Sequence, residues 1–296
     1  MPNAVPNRAT KPLSKPLGKP LIEQFGERYA MWQQLHTQHG PGRSYPYAWR
    51  LPDLARPLGQ PFAHQAQHAL ALDLYCLGRF AEALDALPPH SETEDCAECA
   101  QLRQYLHCLS TAEPAGVPLD NVYLNYLYSP PPVHHHTAMQ ARLYPALIKQ
   151  PARIAEPWQR LLQAWIAVRQ VKQPHNIDHA RLHLDLALLR KTTQCLGAQA
   201  EALFAEIQFY LDPRWSVVWL DQALDRIDSF SQHHLKARLL FLKAQALAAS
   251  GELGESQRFE RLAITLAERQ GAQRYLSLWA FSCRTPAQTE QARTSG

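Results

Sequence analysis

The chain has 296 residues, 46% of them apolar, with 30 Lys and Arg against 26 Asp and Glu, and with 23 prolines but only 12 glycines. That length and composition fit one extended domain or two compact ones with a substantial core. Arg8, Lys11, Lys15 and Lys19 fall in the first 20 residues, which hold no acid, so the remaining body balances 26 basic against 26 acidic residues. A neutral body argues against a nucleic-acid binder, which concentrates positive charge on a folded face.

No stretch approaches the roughly 18 apolar residues of a membrane span, and the basic N-terminus lacks the apolar segment of a secretory signal. The six cysteines are Cys76, Cys96, Cys99, Cys108, Cys195 and Cys283. A chain of this size needs no disulfide staples, so they read as reduced thiols of a cytoplasmic protein.

In chain order, residues 1–20 form a basic, Pro-rich tail whose "KPLSKPLGKPL" repeats Lys-Pro-Leu every four residues. Proline fixes φ and bars its predecessor from the helical region. The tail is therefore expected to be extended and disordered, or to dock on an acidic or aromatic-lined surface. Residues 21–157 form a region of short helices. The first runs from Leu21 to Leu35, and residues 40–61 read as a Pro-punctuated loop carrying Arg43, Tyr45, Tyr47, Trp49 and Arg50. Such a loop either stacks a ligand or pins itself to the core with its aromatics. Further helices are expected near 62–77, 79–87, 94–110, 119–128 and 137–150, separated by prolines.

Twenty prolines precede Trp158 and only Pro174, Pro213 and Pro286 follow, so the second half is free to build long helices. Trp158, Leu161, Leu162, Trp165 and Ile166 share one helical face; Leu182, Leu186 and Leu189 share another after a cap at Asn176. Helices follow at 198–211, 214–229, 232–249 and 253–270, and residues 286–296 read as a flexible C-terminus. No alternating run of β-branched residues appears, so the class is all-α.

Two stretches share a turn grammar. Gly78 is followed by Phe80 and Ala83, and Gly251 by Leu253 and Ser256; Ala71 and Leu74 stand at the same offsets before Gly78 as Ala244 and Leu247 before Gly251. Leu211, Asp212 and Pro213 make a weaker turn, and Gln173 with Pro174 another, so that positions 173, 212 and 251 are evenly spaced by 39. This grammar resembles the tetratricopeptide repeat (TPR), although the spacing exceeds that family's period of about 34. The resemblance covers residues 158–285 and the Gly78 unit. It implies a TPR-like α-solenoid of stacked antiparallel helical hairpins. The helix after residue 235 supports stacking, because Leu235, Leu239, Leu240, Phe241, Leu242 and Leu247 make it apolar almost all round, and one partner helix cannot cover such a surface.

In that family the first helix of each hairpin lines a concave groove. Mapped here, the groove positions are Gln65, His68 and Tyr75; Arg160, Gln163 and Gln170; Gln199, Glu206 and Phe209; and Arg238, Phe241 and Gln245. Amides can pair with the backbone of an extended peptide, arginines can grip a carboxylate, and the two Phe can anchor an apolar side chain. The expected function is a protein-interaction module (adaptor, chaperone or assembly factor) that takes another protein or a peptide and needs no cofactor or metal. The last hairpins also resemble the helical sensor arms of large bacterial transcription activators, but no helix-turn-helix is evident.

The alternative is a metal-dependent or small-molecule enzyme using the His-rich segments or the 40–61 loop. Cys96-Ala-Glu-Cys99 with His107 and Cys108 invites a zinc reading, yet Cys99 and His107 lie about 12 Å apart along one helix, beyond the reach of a single ion. Cys99, Leu102, Leu106 and Leu109 instead read as a core stripe. His134, His135 and His136 diverge around a helix, and His175, His179 and His183 lack the glutamate of the zinc-protease helix, so they read as polar-face residues. Phosphate loops, nucleophile elbows and dinucleotide fingerprints are absent from the sequence.

Overall fold

The computed structural model describes residues 20–89, 97–111, 152–170, 177–192 and 194–282. All regular elements among them are helical, with no strand. The tail, the helices expected at 119–128 and 137–150, the turn at 173–174 and the Asn176 cap lie outside the described residues.

The chain starts with α1 (Leu21–His39), which runs one turn further than expected and stops at Gly40. Gly40 has φ +79°, and a Cβ there would sit 2.1 Å from the Phe230 carbonyl oxygen, so backbone conformation and space both require glycine.

The 40–61 segment is not a loop. It folds as α2 (Pro41–Ala48), α3 (Leu51–Ala55) and a 3-10 turn (Arg56–Leu58), leading into α4 (Gln60–Cys76). Its prolines explain the difference. Pro41, Pro52, Pro57 and Pro61 each stand at the first or second position of one of these elements, where the missing N–H would have had no helical partner. They start helices instead of interrupting a loop. Only Pro46 is inside a helix, on its exposed side. α5 (Phe80–Ala86) and α6 (Ala97–Ser110) complete this group. Cys99, Leu102, Leu106 and Leu109 are buried as a stripe on α6.

The second group holds α7 (Ala152–Gln170), α8 (His179–Thr192), α9 (Gln194–Leu211), α10 (Val217–Ser229), α11 (Lys236–Ala249), α12 (Leu253–Gln270) and α13 (Gln273–Ser282). α7 begins before Pro157 and runs through it. α8 is capped by Asp178, whose carboxylate accepts from the Arg181 N–H at 2.9 Å, a standard N-cap bond. The expected helices at 214–229 and 232–249 each open with a 3-10 turn, at Pro213–Trp215 and His233–Leu235.

Consecutive helices of this group pack on one another, and α9 also packs against both α7 and α11. The buried stripes fall where the pattern places them. Trp158, Leu161, Leu162 and Trp165 are buried on α7, and Leu182, Leu186 and Leu189 on α8. α11 is buried nearly all round, from Ala237 to Leu247. The first group does not stand apart: α1 packs on α9, α6 on α13, and the end of α4 on the His233–Leu235 turn, so both groups share one apolar core. No described helix is long and apolar enough to cross a membrane.

Candidate functional site

The hairpin turns come first, because they position everything else. At the end of α4, the Arg79 N–H donates to the Leu74 carbonyl at 2.9 Å and the Gly78 N–H to the Tyr75 carbonyl at 2.8 Å. At the end of α11, Glu252 donates to Leu247 at 2.9 Å and Gly251 to Ala248 at 3.0 Å. This pair of bonds is the Schellman motif. It recurs after α10, through Gln232 to Ile227 and Ser231 to Asp228, and after α12, through Ala272 to Ala267 and Gly271 to Glu268. The residue at the bend has positive φ in all four: 77° at Gly78, 55° at Ser231, 86° at Gly251 and 72° at Gly271. The sequence pattern found two of them; Ser231 hid one, since no glycine marks it.

The twelve positions read from the sequence separate into two classes. Gln65 and Gln163 are exposed, while His68, Tyr75, Arg160, Gln199 and Gln245 are half-buried. Glu206, Phe209, Arg238 and Phe241 are buried. The Gln170 side chain lies outside the description.

The buried four serve the packing. The Arg238 guanidinium clasps the Glu206 carboxylate through Nε and Nη2, each at 2.6 Å, and Trp165 Nε1 donates to Glu206 Oε2 at 2.7 Å. This chain of polar contacts ties α7, α9 and α11 together. Burial acts to lower the Arg238 pKa, but the Glu206 charge, with Tyr210 and Tyr275 close by, outweighs it and holds the guanidinium above its ordinary range. Phe241 stacks on Trp279 of α13 at 4.4 Å between centroids, and Phe209 meets Tyr210 edge-on. Glu206, Arg238 and Phe241 therefore face neighbouring helices and not an open groove, and Phe209 is buried. The partners of these side chains all lie in the second group, on α7, α9, α11 and α13.

Arg160 keeps part of its guanidinium in solvent but is held by Asp185 of α8 through Nε and Nη2, each at 2.7 Å. Those bonds raise its pKa. Gln199 Nε2 reaches Gln232 Oε1 at 3.4 Å. Tyr75 stacks on Phe80 and meets the His234 ring at 4.5 Å.

The sequence reading missed a second polar cluster. Asp73, fully buried on α4, accepts from Trp32 Nε1 at 3.0 Å, His36 Nδ1 at 2.6 Å and Ser44 Oγ at 2.7 Å. It locks α1 and α2 onto α4. The only available signal was an acid inside an apolar helical run, "ALALDLYC". Beside it, His234 is buried, its Nδ1 3.3 Å from the Cys76 carbonyl oxygen. Desolvation pushes its pKa down to about 3, with His233 and His36 adding to the effect against that backbone bond.

Cys76 and Cys99 are buried thiols, and Cys99 Sγ lies 3.7 Å from the His64 carbonyl oxygen. His107 is exposed while Cys99 is buried, so they face different surroundings. His183 sets its ring against Phe204 and Trp219. Among the described residues, no three His, Cys, Asp or Glu side chains are grouped to hold a metal. Cys96, His134 to His136 and His175 lie outside the described residues.

No protein-family model, no curated protein and no solved structure matches the chain.

Proposed function

We propose that the chain is a protein-interaction module, an adaptor, chaperone or assembly factor built as a TPR-like array of stacked antiparallel hairpins. The observation that carries this reading is the four-fold recurrence of one hydrogen-bonded turn, at Gly78, Ser231, Gly251 and Gly271, between helices that pack on their chain neighbours. A repeated turn between helices that pack on their chain neighbours fits a quasi-one-dimensional array.

The proposed contact surface is narrower than the sequence implied. Glu206, Phe209, Arg238 and Phe241 belong to the core, which leaves Arg160, Gln163, Gln199 and Gln245 on α7, α9 and α11, and Gln65, His68 and Tyr75 on α4, with solvent access. These amides can pair with an extended backbone.

The test is capture of a partner from the source cell with the full chain as bait, identified by mass spectrometry and repeated with Gln163→Glu/Gln245→Glu. Neither side chain is buried, so the helical content should persist. The reading expects the identified partner to be lost with the double variant. Equal recovery by both baits would count against it.

A further inference from the structure

The α2 helix has an outer face that nothing above accounts for. Its inner face is clamped: Pro41, Ser44, Ala48 and the following Leu51 are buried, and Ser44 is tied to Asp73. The outer face carries Arg43, Pro46 and Tyr47, all exposed, at i, i+3 and i+4, and the turn that follows adds exposed Arg50 and Trp49, the latter at 60% exposure. Trp49 leans on Tyr45 at 6.2 Å between centroids, and Tyr45 is itself held by Arg79, whose Nη1 donates to its hydroxyl at 3.2 Å. One side of the indole is therefore supported and the other faces water.

The charges of this end are unevenly answered. Arg56 pairs with Asp53 at 3.1 Å, and Arg79 pairs with Glu82. Among the described residues, Arg43 and Arg50 have no acidic partner. Two unanswered guanidinium groups flank exposed aromatics on a helix fixed from behind. Arg, Trp and Tyr are the residues that dominate binding interfaces, and a surface already rigid loses little freedom on binding.

Resting on the protein-interaction reading, the geometry points to the outer face of α2 as a docking site for an acidic polypeptide segment with an apolar side chain between two carboxylates. Arg43 lies in the first turn of α2 and Arg50 just past its end, so the two cations bracket Tyr47 and Trp49 along the chain. Each carboxylate takes one guanidinium in a two-pronged bond, and the apolar residue between them covers Tyr47 and Trp49. A polyanion is the poorer fit. Nucleic acid and anionic membranes are held by many distributed cations, whereas this body is neutral outside its tail.

The test uses the full chain and fluorescence anisotropy. The probe is a labelled peptide of about twelve residues with a Leu-Phe centre flanked by glutamates; its glutamine counterpart, a thymidine oligonucleotide and phosphatidylserine vesicles serve as comparisons. Saturable binding of the glutamate peptide alone is expected. Arg43→Glu/Arg50→Glu should weaken it at least about tenfold and Trp49→Ala about threefold, with unchanged helical content. Gln163→Glu/Gln245→Glu should leave it intact. Absence of binding, indifference to the arginine variant, or preference for the oligonucleotide or vesicles would overturn the proposal. If the captured partner of the previous section still depends on Gln163 and Gln245 in that event, the interaction reading stands and only this site falls.

Discussion

Residues 20–89 and residues 194–282 both bury a carboxylate among helices, but they satisfy it differently. In the first region Asp73 receives three separate donors, an indole, an imidazole and a hydroxyl, from α1 and α2. In the second, Glu206 accepts a pair of hydrogen bonds from one guanidinium and a third from an indole, on α11 and α7. Three separate bonds locate α1 and α2 on α4. A charged pair instead joins long helices already fixed by apolar packing. The lesson is that both regions rest on apolar packing, Phe25, Trp32, Leu70 and Leu74 in the first and Phe204, Ile207 and Leu239 in the second, and differ in how the buried carboxylate is satisfied.

The largest expected effect comes from breaking the charged pair. Arg238→Ala leaves Glu206 buried without its cation and should cost about 3–5 kcal/mol in urea unfolding. A loss below about 1 kcal/mol would mean the pair is solvated and the contrast fails. Asp73→Ala orphans three donors and should cost about 3 kcal/mol. Its distinctive mark would be selective loss of hydrogen-exchange protection in α1 and α2, with α11 and α12 still protected.

Two of the glycine turns, at Gly78 and Gly251, sharpen the same contrast. Gly78 is buried, and a Cβ there would meet Gln270 Nε2 at 2.5 Å; Gly251 has open space. Both have positive φ. Gly251→Ala should therefore cost only the conformational penalty, about 1 kcal/mol, and Gly78→Ala visibly more. Equal losses would say that the two turns sit in equivalent surroundings.

His234 links the regions and gives a pH signature. Its folded pKa, about 3, lies below the ordinary histidine value of 6.5. The unfolded chain therefore binds the proton first. The contribution to stability is present above pH 6.5 and is lost as pH falls toward 3, with a slope approaching about 1.4 kcal/mol per pH unit. His234→Gln should flatten that slope. The smallest effect is expected at the solvent edge, where Arg160→Ala, opening a partly exposed pair with Asp185, should cost about 1 kcal/mol or less.

Much of the hairpin region could be read in advance because its signals are local. The helix at 253–270 follows from its apolar spacing, and the Gly251 bend from the residue itself. The Ser231 bend could not be read, since a non-glycine residue there is held in place by its surroundings. Residues 41–58 were misread as a loop because a proline that starts a helix and one that ends a helix look alike until the neighbours are placed. The candidate site was least readable. Glu206 and Arg238 sit 32 positions apart, and nothing local tells a polar residue facing water from one whose partner arrives on another helix.

The most direct test of the interaction reading is partner capture by the full chain beside its Gln163→Glu/Gln245→Glu variant, with circular dichroism on both baits. The account predicts a specific protein recovered by the first and absent from the second at equal helicity. The same protein recovered by both, or none by either, would contradict it.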